Sequence, residues 1–279
     1  MEKLFEKIIN ATESYLKDSK ISTMVLGVSG GIDSTVVASI CHEIVRRNPE
    51  FKLVGVSLPC TTNGDDENSA ALKVMKAFCD EWHVVNLQST FEQVRDLCEK
   101  TVSSTPTSIG NIKARLRMTF LYNLAGVTKG IVMDTDNLTE HYLGFFTIHG
   151  DQGDLNPIGT LWKSRVYELA NHLYSTYLEK GEFDKAKAIL SSLHLTPTDG
   201  NGVAEGGDLA QIMPGHTYED VDLVLKFVLA NGYTDESKIK DFLGRYHWID
   251  EESFWKVTNR FKATGFKRQI LPHVPTPRD

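Results

Sequence analysis

Cysteine is scarce in this chain, with four among 279 residues, at positions 41, 60, 79 and 98. No two of them stand in a C-x-x-C spacing, so the sequence predicts neither a zinc site nor a dithiol redox pair. We expect buried and reduced thiols, as is usual for proteins of a reducing compartment.

Long apolar runs are also missing. No stretch is long enough to span a bilayer, and the first residues lack the charged-then-apolar pattern of a signal peptide. The cytoplasm is therefore the expected location, without a membrane partner. Basic residues are not in excess either, because 37 acidic residues against 30 Lys and Arg give a net charge of −7. This balance argues against a protein whose main task is to bind nucleic acid.

The first half of the chain alternates between apolar strand-like runs and amphipathic helical patterns. Strands are predicted at 24–28, 53–58, 84–87 and 130–133, and helices at 4–16, 34–47, 65–82, 91–100 and 111–126. Strands separated by helices predict an α/β fold, in which helices cover both faces of an open parallel sheet, as in Rossmann-like proteins.

The second half is predicted to be mostly helical, with five helices between residues 164 and 261. A Gly- and Pro-rich loop at 194–217 is long enough to be a functional lid. It does not resemble a domain linker, so residues 1–279 are expected to form a single domain.

The segment Ser-Gly-Gly-Ile-Asp-Ser at 29–34 joins the first predicted strand to a helix. Adjacent Gly30 and Gly31 let the backbone approach a ligand closely, and N–H groups at a helix start bind phosphate. The lysine of the common kinase-type phosphate loop is missing, since Ile32 follows the last glycine. Asp33 would repel a phosphate unless a cation such as Mg²⁺ lay between them. These features predict an ATP site.

A second acidic segment, Asp134 to Glu140, follows the strand at 130–133. Ligands of parallel sheets lie at the carboxyl ends of the strands, so Glu140 is a candidate second carboxylate for the metal. Arg115 and Arg117 stand two residues apart on the helix at 111–126, so at most one of them is expected to face a given pocket.

Six motifs in order, SGGIDS, NIKARLRM, TDNLTE, GFF…GDQGD…NPIG…K, PTD and FKR, resemble ammonia-dependent NAD synthetase. They extend from about residue 24 to 268. The resemblance implies the adenine nucleotide alpha hydrolase-like fold of the pyrophosphate-loop ATPases. It also implies an ATP-dependent ligase that amidates deamido-NAD (nicotinic acid adenine dinucleotide) through an acyl-adenylate. This is the final step of NAD biosynthesis, and it releases AMP and pyrophosphate.

The resemblance also assigns roles where positions match. ATP contacts are implied for Gly27, Ser29, Gly30, Gly31, Asp33, Ser34, Thr135, Lys163 and Thr198. Deamido-NAD contacts are implied for Arg115, Asp154, Phe266 and Lys267. Magnesium is implied on Asp33 and Glu140, and catalytic roles for Asp33, Lys163 and Asp154.

Partners follow from the same resemblance: ATP, deamido-NAD, free ammonia and a second copy of the chain in a homodimer. We expect no glutaminase domain, because 279 residues leave no room for one around this core. Two alternatives stay open, and the second of them rests on Ile148 and Asp134, which replace a lysine and a glycine common in the family. One is another pyrophosphate-loop ligase, such as a tRNA-modifying enzyme. The other is a nucleotide-binding sensor or inactive paralogue, although intact Asp33, Glu140 and Lys163 argue against it.

Overall fold

The computed structural model describes residues 1–60, 64–196 and 207–269. Within them, four strands form one parallel sheet in the order β3-β2-β1-β4. The strands are β1 (Thr23–Gly27), β2 (Lys52–Ser57), β3 (Glu81–Val84) and β4 (Ile131–Met133). The helices of the first half are α1 (Glu2–Asp18), α2 (Ile32–Arg47), α3 (Asp65–Phe78), α4 (Gln88–Glu99), α5 (Pro106–Thr128) and α6 (Leu138–Leu143). Those that follow are α7 (Lys163–Glu179), α8 (Phe183–Leu193), α9 (Asp208–Ile212), α10 (Tyr218–Asn231), α11 (Glu236–Arg245) and α12 (Glu251–Ala263).

Helices cover the two faces of the sheet because side chains alternate along each strand. In β1, Met24 and Leu26 join a core formed with α1, α2, α3, α7 and α8. Val25 points to the opposite face, where it packs with Ala125 of α5. A strand that is buried on both faces has a continuous run of apolar residues in its sequence, and β1 has such a run. The predicted α/β class with an open parallel sheet is confirmed.

The strand order reverses direction at β1, which lies between β2 and β4. The chain therefore leaves β1 and β4 through adjacent loops at the same edge of the sheet. In open parallel sheets such a switch point is where ligands bind. It places the 29–34 segment beside the acidic segment that follows β4.

A separate apolar cluster holds α6 and the helices α9 to α12 together. Leu143 of α6 packs there with side chains from α9 to α12. The predicted loop at 194–217 is only partly a loop, because α9 lies within it and buries Ile212 in this cluster. Residues 197–206 fall outside the described part of the chain. That residues 1–279 form one domain stays a prediction.

The helix predicted at 65–82 is too long, and the strand predicted at 84–87 begins three residues earlier, at Glu81. The physical reason is Asp80, which binds the start of β2. Its N–H donates to the Leu53 carbonyl at 3.0 Å, and its carboxylate accepts from the Leu53 N–H at 2.8 Å. These two bonds draw the following residues alongside β2 as an edge strand.

Two further sequence features can be compared with the structure. No helix of the described residues is long and apolar enough to cross a membrane. Cys41 and Cys60 are buried as expected, but Cys98 is exposed on α4, so the prediction is wrong for that thiol.

Candidate active site

A cleft of about 440 Å³ opens at the carboxyl ends of β1, β2 and β4. This volume is in the range of small-ligand sites. Seven residues predicted from the sequence line it: Gly27, Ser29, Asp33, Ser34, Thr135, Glu140 and Lys267. The cleft thus brings together most of the predicted nucleotide and metal residues.

The 29–34 loop has the backbone geometry that its glycines predict. Gly30 has φ +88°, and a Cβ there would lie 2.5 Å from the Glu67 carbonyl oxygen of α3. Only glycine is therefore accommodated at this position. Gly31 is the N-cap of α2 at φ −68°. The Ser29 hydroxyl accepts the Gly31 N–H at 3.2 Å and lies 3.2 Å from the Ser34 hydroxyl, which holds the loop in place.

Lys163, Asp33 and Glu140 meet beneath the cleft. The Lys163 ammonium donates to Asp33 Oδ2 and, at 2.9 Å, to Glu140 Oε1. The lysine is only 2% exposed, so these are ion pairs shielded from solvent. Three segments far apart in the sequence, the start of α2, α6 and the start of α7, supply the three charges.

The protonation of this cluster follows from its burial. Burial raises the pKa of Glu140 to about 7; Lys163 opposes the shift and Asp33 adds to it. Burial alone would lower the pKa of Lys163, but the charges of Asp33 and Glu140 hold it well above the ordinary value. Lys163 therefore stays a cation. Perturbed titrating groups in a cleft are a mark of functional sites.

Asn137 connects the two carboxylates and was missed by the sequence reasoning. Its side-chain amide donates to Asp33 Oδ1 at 2.9 Å, and its amide oxygen accepts the Glu140 N–H at 3.0 Å. Its own N–H donates to Glu140 Oε2 at 3.1 Å, which completes a capping box at the start of α6. The N-x-x-E spacing in TDNLTE was the available sequence signal.

A fully buried carboxylate, Asp222 of α10, holds the first turn of α7. It accepts the Ser164 N–H at 3.0 Å and the Thr139 hydroxyl at 2.5 Å. Thr139 in turn accepts the Lys163 N–H at 2.8 Å. This network fixes the start of α7 and therefore the backbone of Lys163.

The carboxylates of Asp33 and Glu140 fit a magnesium ion. One oxygen of each converges on the Lys163 ammonium, so a single cation already bridges them. Among the residues that the structure describes, no group of three or more His, Cys, Asp or Glu side chains could hold a metal. Magnesium is commonly bound by one or two carboxylates together with substrate phosphates and water, and this donor set is of that kind.

The residues predicted to contact deamido-NAD do not all line the cleft. Lys267 reaches the cleft, where its ammonium donates to the carbonyls of Gly144 at 2.7 Å and Phe146 at 2.5 Å. Phe266 is 64% exposed and does not line the cleft. Thr198 lies outside the described residues.

Arg115 and Asp154 also lie away from the cleft lining. Arg115 is exposed on α5 and donates to the Ile148 carbonyl at 3.2 Å. Asp154 accepts the Tyr122 hydroxyl at 2.9 Å and the Val132 N–H at 3.1 Å, so both of its oxygens are engaged. As expected from their spacing, only one arginine of the pair faces the cleft. It is Arg117, which donates to the Leu58 carbonyl at 3.1 Å.

Asp136 and Asp151 line the inner wall of the cleft, and a third carboxylate, Asp134, supports it. Burial raises the pKa of Asp151 to about 6, and burial likewise raises the pKa of Asp134 to about 6. Asp134, which replaces the usual glycine, accepts the Asp136 N–H at 2.8 Å and so shapes the turn after β4.

Comparison with known proteins places this arrangement in a family. The sequence profile of NAD synthase matches residues 4–271. An NH(3)-dependent NAD(+) synthetase from Campylobacter jejuni subsp. doylei is 35% identical over 173 residues, which cover 62% of this chain and 68% of that protein.

Two solved structures extend over nearly the whole chain. The NH3-dependent NAD synthetase of Campylobacter jejuni, solved with nitrate, is 26% identical, covers 99% of each chain and superposes with a TM-score of 0.71. An NMN synthetase from Francisella tularensis, 24% identical, covers 100% of this chain and 98% of its own, with a TM-score of 0.75. The latter likeness concerns the fold alone. With a family profile matched over almost its full length, this chain belongs to the NAD synthase family.

Proposed function

We propose that this protein is an ammonia-dependent NAD synthetase, a ligase that converts deamido-NAD, ATP and ammonia into NAD, AMP and pyrophosphate. The observation that carries the proposal is the convergence of Asp33, Glu140 and Lys163 beneath the SGGIDS loop. A protein that only sensed a nucleotide would not need this buried charge set. The names of the related synthetases support the same reaction.

The chemistry begins with a carboxylate that is a poor electrophile. The nicotinate carboxylate attacks the α-phosphorus of ATP and displaces pyrophosphate, which leaves an acyl-adenylate. The N–H groups at the start of α2 and the Lys163 ammonium stabilise negative charge on the phosphates. Magnesium held by Asp33 and Glu140 would neutralise further charge on the leaving pyrophosphate. Ammonia then attacks the acyl carbon, and AMP leaves.

Lys163 is suited to this role because it is kept charged and in place. Asp33 and Glu140 hold its pKa well above the ordinary value, although burial opposes them, so the side chain stays a donor to phosphate oxygens. Gly27, Ser29, Gly30, Gly31, Ser34, Thr135 and Thr198 are proposed to complete the ATP site. Lys267 lies across the same cleft and is proposed to contact deamido-NAD.

We assign Arg115, Asp154 and Phe266 to the outer part of the dinucleotide site. Asp154 is also proposed to assist catalysis there. Exposed Arg115 and Phe266 are available to a ligand or to a second subunit. A homodimer in the cytoplasm is proposed, with the dinucleotide near the subunit contact. Sedimentation of the purified protein at several concentrations tests the dimer.

The test is amidation by the purified protein with ATP, MgCl₂, ammonium chloride and deamido-NAD, in which NAD and AMP are both quantified. Equimolar NAD and AMP are expected. Glutamine in place of ammonium should give little product. Nicotinate mononucleotide in place of deamido-NAD measures the competing substrate suggested by the name of the Francisella relative.

Two variants and two alternative outcomes make the assay decisive. K163M should bind the nucleotide but lose turnover, whereas K163R keeps the charge and should retain part of it. Faster use of the mononucleotide would move the assignment to an NMN synthetase. ATP binding without NAD formation from either substrate would favour another pyrophosphate-loop ligase or a sensor.

A further inference from the structure

We propose that Asn137 is a positioning residue for the metal site. It turns one oxygen of Asp33 and one of Glu140 towards a common point. The inference rests on the proposed function only for the identity of the metal and its nucleotide. It assigns a role to a residue outside the set expected from the family resemblance.

Asn137 and Lys163 each contact two of the four carboxylate oxygens of Asp33 and Glu140. Asn137 holds Asp33 Oδ1 through its side-chain amide at 2.9 Å and Glu140 Oε2 through its backbone N–H at 3.1 Å. The two remaining oxygens, Asp33 Oδ2 and Glu140 Oε1, are those that Lys163 contacts. Because Asn137 is 0% exposed, no water competes for these bonds. Each carboxylate is thereby fixed in rotation about its terminal bond.

Helix capping explains the contacts of Asn137 with Glu140 but not its contact with Asp33. The N-cap role requires the Asn137 amide oxygen, which accepts the Glu140 N–H at 3.0 Å. Serine, threonine or aspartate would serve α6 equally well as a cap. The bond from the amide nitrogen to Asp33 contributes nothing to capping, since Asp33 belongs to α2, 104 residues away in the sequence. The side-chain donor is needed only to orient Asp33, because the Glu140 carboxylate is held by the Asn137 backbone N–H.

Groups that orient metal ligands affect metal affinity even though they do not touch the ion. The test therefore uses N137S and N137T, which keep a capping oxygen but lose the amide N–H that reaches Asp33, because their only side-chain donor is a hydroxyl one bond nearer the backbone. Each variant and the wild-type protein are saturated with the α,β-methylene analogue of ATP, and Mg²⁺ is titrated in by calorimetry. We expect the Kd for Mg²⁺ to rise roughly 10- to 100-fold in both variants.

A matched control separates positioning from helix stability. Asp235 caps α11 by accepting the N–H groups of Ser237 and Lys238, at a site without metal-ligand candidates. D235A should lower the melting temperature and leave the Kd for Mg²⁺ unchanged. If N137S and N137T keep the wild-type Kd within twofold and change only the melting temperature, Asn137 is a helix cap and the proposal is refuted.

The titration needs no deamido-NAD, so its result is independent of the amidation assay. A wild-type protein that binds Mg²⁺ and the ATP analogue but forms no NAD would refute the proposed function alone. Wild-type magnesium affinity in both Asn137 variants, with normal NAD synthesis by the wild type, would refute the positioning role alone.

Discussion

Replacing Asp222 should separate the need for a hydrogen-bond acceptor from the need for a charge at the start of α7. The carboxylate accepts two buried donors, the Thr139 hydroxyl and the Ser164 N–H. Burial raises the pKa of Asp222, and the two bonds offset the shift only in part. The ionised group therefore carries a desolvation cost as well as a stabilising role.

D222A removes both bonds and leaves two buried donors without a partner. Hydrogen bonds to a charged group contribute about 1.5–3 kcal/mol each, and relief of desolvation returns part of that, so we expect a net loss of about 3 kcal/mol. D222N keeps one oxygen for the Ser164 N–H. Its amide can donate to Thr139, whose hydroxyl has a second lone pair beside the one used by the Lys163 N–H. We expect D222N to cost only about 1 kcal/mol.

Urea denaturation followed by circular dichroism measures both free energies of unfolding, with equal m-values as the check on two-state behaviour. NAD formation by D222N should stay near the wild-type rate, because the root of Lys163 remains fixed. A D222N variant as unstable as D222A would refute the reasoning, and it would mean that α7 requires the negative charge itself.

Three further outcomes are expected. D33N should lower ATP-dependent turnover roughly 100-fold or more, because a metal ligand is lost, and unchanged turnover would disprove that assignment. G30A should reduce the free energy of unfolding by about 2 kcal/mol, since φ +88° disfavours a side chain, whereas G31A at φ −68° should cost little in the same urea series. Burial raises the pKa of Asp151 to about 6, so the folded protein holds this proton where the unfolded chain has lost it. Stability should therefore fall as pH rises from about 4 to 6, and D151N should flatten this part of a urea-midpoint profile, which an unchanged slope would contradict.

Local patterns in the sequence were sufficient for the sheet and for the nucleotide loop. Apolar runs broken by glycine indicate buried strands, and the alternation of strands and helices leaves few arrangements other than a parallel sheet. The limit appeared at β3, where Trp82 and Val84 are exposed and give no buried pattern. That strand is placed by the bonds between Asp80 and Leu53, which are contacts between distant segments.

The active-site charges were predicted, but their supports were not. Lys163 and Glu140 stand in recognisable motifs, and the capping box of Asn137 was visible as N-x-x-E. Asp222 and Arg260 have no local signal. Arg260 lies on α12, and its guanidinium packs 3.7 Å from the Phe145 ring centre and donates to the Leu143 carbonyl at 2.9 Å. Such roles exist only after the helical second half has packed against α6.

The carboxyl end of α6 has a consequence for how the protein matures during synthesis. The last carbonyls at this end accept hydrogen bonds from three cations: Arg260, Lys267 and Arg268 donate to Leu143, Gly144 and Tyr142, respectively. These cations leave the ribosome more than a hundred residues after the helix they stabilise. A nascent chain can form the sheet early, because domains fold as the chain emerges. The helix that carries Glu140 is therefore secured only after Arg268 has been synthesised, so the carboxylate pair of the cleft depends on residues far beyond α6 in the sequence.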